Sequence, residues 1–143
     1  MFSKEEAAKI RKEFWTSFGK SFPKKWILYD TKIKDFAFKF NCDNKKAEVS
    51  IDIEIKDEIF RNAYYEKLWS LETLLEEELQ CELHKDEFYT LENGKVISRF
   101  WVEKHDVSIF NKNTWQVIFE FFVEKMTAFE IVYWEYEEFI KDV

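Results

Sequence analysis

Glycine and proline are nearly missing from this chain: Gly19, Gly94 and Pro23 are all that 143 residues contain. A glycine-rich phosphate loop, a flexible linker and a disordered tail all require more of one or the other. Cysteine is also scarce. Cys42 and Cys81 lack metal-ligand spacing and a small secreted context, so both are expected as free, inert thiols in a reducing compartment. The N-terminus, Met1-Phe2-Ser3-Lys4-Glu5-Glu6, has no apolar signal core. The densest apolar run, Val117–Val123, is broken by Glu120 and falls far short of the ~20 residues that span a bilayer. Basic charge is outnumbered, and a formal net charge of −7 disfavours general binding to a phosphate backbone. There is no nucleophile-elbow serine, no phosphate-loop motif and no dinucleotide fingerprint. No cofactor is expected. These absences leave a soluble, cytoplasmic, acidic single domain over residues 1–143.

Aromatic residues are abundant: sixteen Phe, six Trp and six Tyr supply the core material. Ser3 with Glu6 forms a capping box, and Ala7, Ile10, Phe14 and Phe18 follow at helical spacing, which predicts a helix from Lys4 to about Ser17 that stops near Gly19. From Ile33 the period falls to two. Phe36, Phe38 and Phe40 alternate with Asp35, Ala37 and Lys39, and Ala47, Val49, Ile51, Ile53 and Ile55 alternate with polar residues. A turn at Asn44-Lys45 sets Phe40 against Val49, Phe38 against Ile51 and Phe36 against Ile53, all on one face. Asp57 then caps a helix whose stripe runs from Phe60 to Leu79, with Tyr65 and Trp69 off it.

Asn93-Gly94 is the strongest two-residue turn in the chain and predicts a second hairpin. Its register sets Leu91 against Val96 and Tyr89 against Ser98. The terminal stretch, capped at Asn113, reads as one helix of roughly 28 residues. The order is α-β-β-α-β-β-α, an α+β fold with a four-stranded antiparallel sheet and helices packed on one face.

Four stretches are similar to one known family. They are Phe14-Trp15-Thr16-Ser17-Phe18, Val49-Ser50-Ile51-Asp52-Ile53-Glu54, Leu71-Glu72-Thr73-Leu74-Leu75-Glu76 and Asn113-Thr114-Trp115. The chain resembles, from about Ile10 to Phe139, the bacterial family labelled domain of unknown function 4268. The resemblance implies an α+β domain that occurs alone or as the trailing domain behind nuclease-like modules. It therefore also implies a link to defence or DNA-processing systems. It carries over no catalytic residues.

Two constellations invite chemistry. Glu54-Ile55-Lys56, with Asp52, has the acid-x-Lys form in which carboxylates hold Mg²⁺ and a lysine positions water, and Asp35 on the partner strand is a candidate further ligand. The plainer account is the solvated face of a two-sided strand. In the second, the Asn93-Gly94 register sets His84 against Glu103 and His105 against Glu82, with Asp86 beyond: a candidate Zn²⁺ site or pH-sensitive cluster. The plainer account is ordinary Glu–His cross-strand pairing. Lys20, Lys24 and Lys25 with Phe22 and Trp26 form the one basic, aromatic-interleaved stretch, read first as a solvated connector.

The terminal helix carries more apolar surface than one neighbour covers. Beside the core row lies a second row, Val117, Phe121, Ala128, Val132 and Phe139. That row packs either on the first helix or on another chain, as a homodimer or with a protein partner. The leading functional reading is therefore a non-catalytic interaction or self-association module. The alternative is a metal-dependent nuclease, or an accessory domain of a nuclease or defence system.

Overall fold

A computed structural model describes residues 2–143. Helix α1 (Lys4–Ser21) starts as the capping box requires: Ser3 Oγ accepts from the Glu6 amide at 3.1 Å, and Glu6 Oε1 accepts from the Ser3 amide at 3.2 Å. It runs straight through Gly19. The first hairpin, β1 (Phe36–Cys42) and β2 (Lys46–Ile53), has the expected register: Phe36 faces Ile53, Phe38 faces Ile51 and Phe40 faces Val49. Asp43 tightens its turn by accepting from the Lys45 and Lys46 amides.

Asp57 caps α2 (Glu58–Ser70), accepting from the Ile59 and Phe60 amides. The expected long helix is two pieces. The chain leaves helical geometry at Leu71 (φ −96°, ψ 6°) and resumes as α3 (Glu72–Leu79). Within α2 the buried face carries Arg61, Tyr65 and Leu68, so Tyr65 is buried and Phe60 is exposed, the reverse of the expectation.

The second hairpin, β3 (His84–Thr90) and β4 (Val96–His105), departs from the predicted register twice. The Leu91 amide donates to the Lys95 carbonyl at 2.8 Å, which makes a three-residue loop, Glu92-Asn93-Gly94. Only Gly94 takes a positive φ there (+85°), whereas the two-residue turn needs one at Asn93 as well. This moves the pairing by one residue: Thr90 faces Val96 and Tyr89 faces Ile97. A bulge at Glu87-Phe88 then moves it by one more, and Asp86 faces Arg99, Lys85 faces Phe100 and His84 faces Trp101. Side-chain bonds hold the bulge: Ser98 Oγ donates to the Glu87 carbonyl (2.7 Å) and the Phe88 amide donates to Asp86 Oδ1 (3.0 Å).

The sheet is antiparallel in the order β1-β2-β4-β3. A 3₁₀ turn (Lys112–Thr114), capped by Asn111 rather than Asn113, leads into α4 (Trp115–Glu135), and a break at Tyr136 separates α5 (Glu137–Lys141). Helix α4 lies across β2 and β4. Phe14 and Phe18 of α1 mesh with Phe119 and Phe122 of α4 in edge-on and tilted contacts, 5.2–6.2 Å between ring centres. The second row of α4 finds its neighbour inside the chain. Helix α3 packs along α4, and Phe121, Ala128 and Val132 are buried. Of the five residues in that row, Val117 and Phe139 are exposed. Phe139 in turn is covered on one side by the Lys67 ammonium, 4.2 Å from its ring centre.

Candidate functional site

The strand residues of both chemical constellations fall on the sheet face away from the helices. Strand alternation sends Glu48, Ser50 and Asp52 of β2 to that face, with Arg99, Trp101, Glu103 and His105 of β4 beside them in register. The face is polar in composition, yet Ser50, Asp52 and Arg99 are buried.

Asp52 is 1% exposed and held by Arg99 through two parallel bonds, Nε to Oδ1 and Nη2 to Oδ2, each 2.8 Å. The Tyr89 ring lies 4.3 Å from the guanidinium carbon. Glu54 accepts from Lys39 at 2.7 Å and Lys95 at 3.2 Å. Burial pushes the Glu54 carboxyl up, but the bonds from those two lysines prevail and hold it below its ordinary value. Lys56 lies beyond the end of β2 and is exposed, so the acid-x-Lys run does not share one strand face. Asp35 contributes its carbonyl, which accepts from the Glu54 amide at 2.7 Å. The lysines that attend these acids, Lys39 and Lys95, come from other parts of the chain.

The histidine constellation is redrawn by the register. His84 stacks on Trp101 (ring centres 5.3 Å apart, 24° between planes) and does not face Glu103. Glu82 lies before β3 and is exposed. His105 stands four residues along β4 from the partner of His84, a separation of about 13 Å at ~3.3 Å per residue, too far to share an ion. Glu103 does pair with His105 and accepts from Trp101 Nε1 at 2.6 Å. Burial pushes its carboxyl up, and these two donors bring it below the ordinary value. Among the described residues no group of three or more His, Cys, Asp or Glu side chains is placed to hold a metal ion.

Of the basic stretch, Lys20 and Lys25 are exposed and Lys24 is engaged within the chain. Lys24 reaches buried Glu130 at 2.9 Å and sits 4.4 Å from the Trp26 ring centre, while the Ile27 amide donates to the other Glu130 oxygen at 2.8 Å. Both cysteines are unbridged and half-buried, and burial pushes the Cys42 thiol up to about 12, which suits an inert thiol. Among the described residues no helix is long and apolar enough to cross a membrane.

Sequence reasoning passed over Arg99 and Lys39, the two cations that organise this face. The partner of Arg99 becomes visible only once β2 is known to lie beside β4, a pairing that no turn motif announces, whereas Lys39 meets Asp52 and Glu54 within the β1–β2 hairpin. Comparison with curated proteins and with solved structures returns no match. The description Domain of unknown function (DUF4268) fits residues 10–137, nearly the whole chain, and the protein belongs to that family.

Proposed function

We propose that this domain is a non-catalytic interaction module that self-associates along the outer edge of its sheet. The observation that carries the reading is the apolar pair Ile59 and Phe88, 80% and 56% exposed, which flank a groove of about 330 Å³ between the start of α2 and the bulge of β3. Neighbouring Phe60 is also exposed. Adjacent exposed apolar residues at an unpaired strand edge are the elements from which edge-to-edge association is built. On the catalytic side, Asp52 and Glu54 already spend their charge on Arg99, Lys39 and Lys95. A metal-dependent nuclease, or the accessory domain of a nuclease or defence system, would require those pairs to open before an ion could bind.

Size-exclusion chromatography with light scattering tests the proposal. The wild type is expected to gain mass as concentration rises, and an Ile59→Lys/Phe88→Lys double variant to stay monomeric. A wild type that remains monomeric at high concentration overturns self-association. Cleavage of DNA with Mg²⁺ or Mn²⁺ that is lost in Glu54→Ala would overturn the non-catalytic reading.

A further inference from the structure

The outer face of α2 is built to meet a copy of itself. Ile59, Asn62, Glu66 and Trp69 are all exposed, and they stand three, four and three residues apart. At 100° per residue they fall within an arc of about 80°, one stripe on the helix. That spacing is the same in both directions. A second copy of the stripe laid antiparallel therefore sets Ile59 opposite Trp69 and Asn62 opposite Glu66, with the same two pairs repeated across the twofold. Apolar meets apolar at the ends. In the middle an amide donor meets a carboxylate, since Asn62 gives one of its two N–H groups to Glu87 and keeps the other.

The strand beside α2 fits the same arrangement. At the Ile59 end lies the groove already described, lined by Ile59, Phe88, Glu58, Glu87, Asn62 and Arg61. Its two carboxylates outnumber its one cation, Arg61, whose Nη1 is turned to the Ile55 carbonyl at 2.9 Å. At the Trp69 end the surface carries a large exposed ring instead. Trp69 is 48% exposed, ~15 Å along the helix from Ile59, and the Lys85 ammonium sits 5.7 Å from its ring centre. Lys85 meets Glu72 at 2.5 Å, and an ammonium has three donors to offer. One end thus presents an apolar groove with an acidic rim, and the other an indole attended by a cation. These are complementary in shape and in charge, and tryptophan is among the residues that most often carry the energy of an interface.

Building on self-association of this edge, we propose that the occupant of the groove is Trp69 of a second copy. The two α2 helices run antiparallel about a twofold, each Trp69 enters the Ile59–Phe88 groove of the other chain, and each Lys85 reaches the carboxylates of Glu58 and Glu87 there. Mixing of complementary variants, read by size-exclusion chromatography with light scattering on the full chain, tests this. Trp69→Lys and Ile59→Glu each set a charge against an apolar partner, and each alone is expected to stay monomeric at concentrations where the wild type pairs. An equimolar mixture is expected to recover the mass of a pair, because one contact becomes Lys against Glu while the other keeps the native Ile against Trp. Trp69→Ala, a helix-favouring change at an exposed position, guards against loss of the fold. It is expected to raise the concentration at which half the chains are paired by about thirtyfold or more, the size of an interface anchor. The proposal is overturned if the wild type pairs and Trp69→Ala pairs equally well, or if the mixture stays monomeric. A wild type that never pairs overturns self-association itself and this geometry with it.

Discussion

Asp52 and Arg99 face each other across β2 and β4 and are joined by two 2.8 Å bonds in the buried middle of a nominally solvated sheet face. Burying two charges costs several kcal/mol per ion, and the pair repays this only while both members are present. Arg99→Met is therefore expected to destabilise the fold by about 3 kcal/mol, because it removes both bonds to the buried Asp52 carboxylate and leaves it only the longer contact to Lys39, 3.6 Å away. The double variant Asp52→Leu/Arg99→Met is expected to recover most of that loss. Urea unfolding of both variants checks the prediction; a double variant no more stable than the single one would show that the pair acts through packing and not charge.

Stability should also fall with acid in a way traceable to Glu54. Its folded-state carboxyl lies below the ordinary value of 4.5, because the bonds from Lys39 and Lys95 outweigh the opposing effect of burial. A depressed carboxyl contributes stability that is fully present above 4.5 and is lost as pH falls through the lower, folded value. Unfolding free energies measured from pH 7 downward should decline below that point in the wild type, and Glu54→Gln should flatten the decline. An unchanged slope in the variant would remove Glu54 from the acid response.

In the helical layer, Phe14 is the residue to test. It is fully buried, and its ring meets those of Trp115 and Phe119 at 5.2 Å each and that of Trp15 at 4.8 Å. Phe14→Ala removes a ring from the centre of this cluster and is expected to cost about 3–5 kcal/mol. Thermal or urea unfolding against Phe2→Ala, whose ring is half exposed, gives the contrast; equal losses would mean that α1 is not anchored through Phe14.

How far the fold could be read from the chain follows from how local each signal is. The capping box at Ser3 and Glu6, the Asp57 cap and the Phe36–Ile53 register are set by residues close in sequence, and all three appear as expected. The β3–β4 register was harder because two one-residue displacements act in succession. The loop choice depends on whether Asn93 takes a positive φ, and the bulge depends on a Ser98 hydroxyl reaching the Glu87 carbonyl. The first displacement flips the faces and the second flips them back. His84 thus lands on the predicted face but two residues from its predicted partner. The second row of α4 was legible as apolar, but its cover was not. The break at Leu71 frees α3 to swing against α4, and no motif marks that break. The open-face site shares this limit: the residues are visible in the sequence, and their pairing across β2 and β4 is not.

The two margins of the sheet are unlike. On the β1 side the Phe38 amide donates to the Leu28 carbonyl at 2.9 Å, so the incoming connector already occupies that flank. On the β3 side, among the described residues, no other strand lies alongside. A sheet that can grow in one direction only has a built-in stoichiometry. Two copies joined through β3 would expose only blocked flanks, and addition would end there, which separates a closed pair from a fibre.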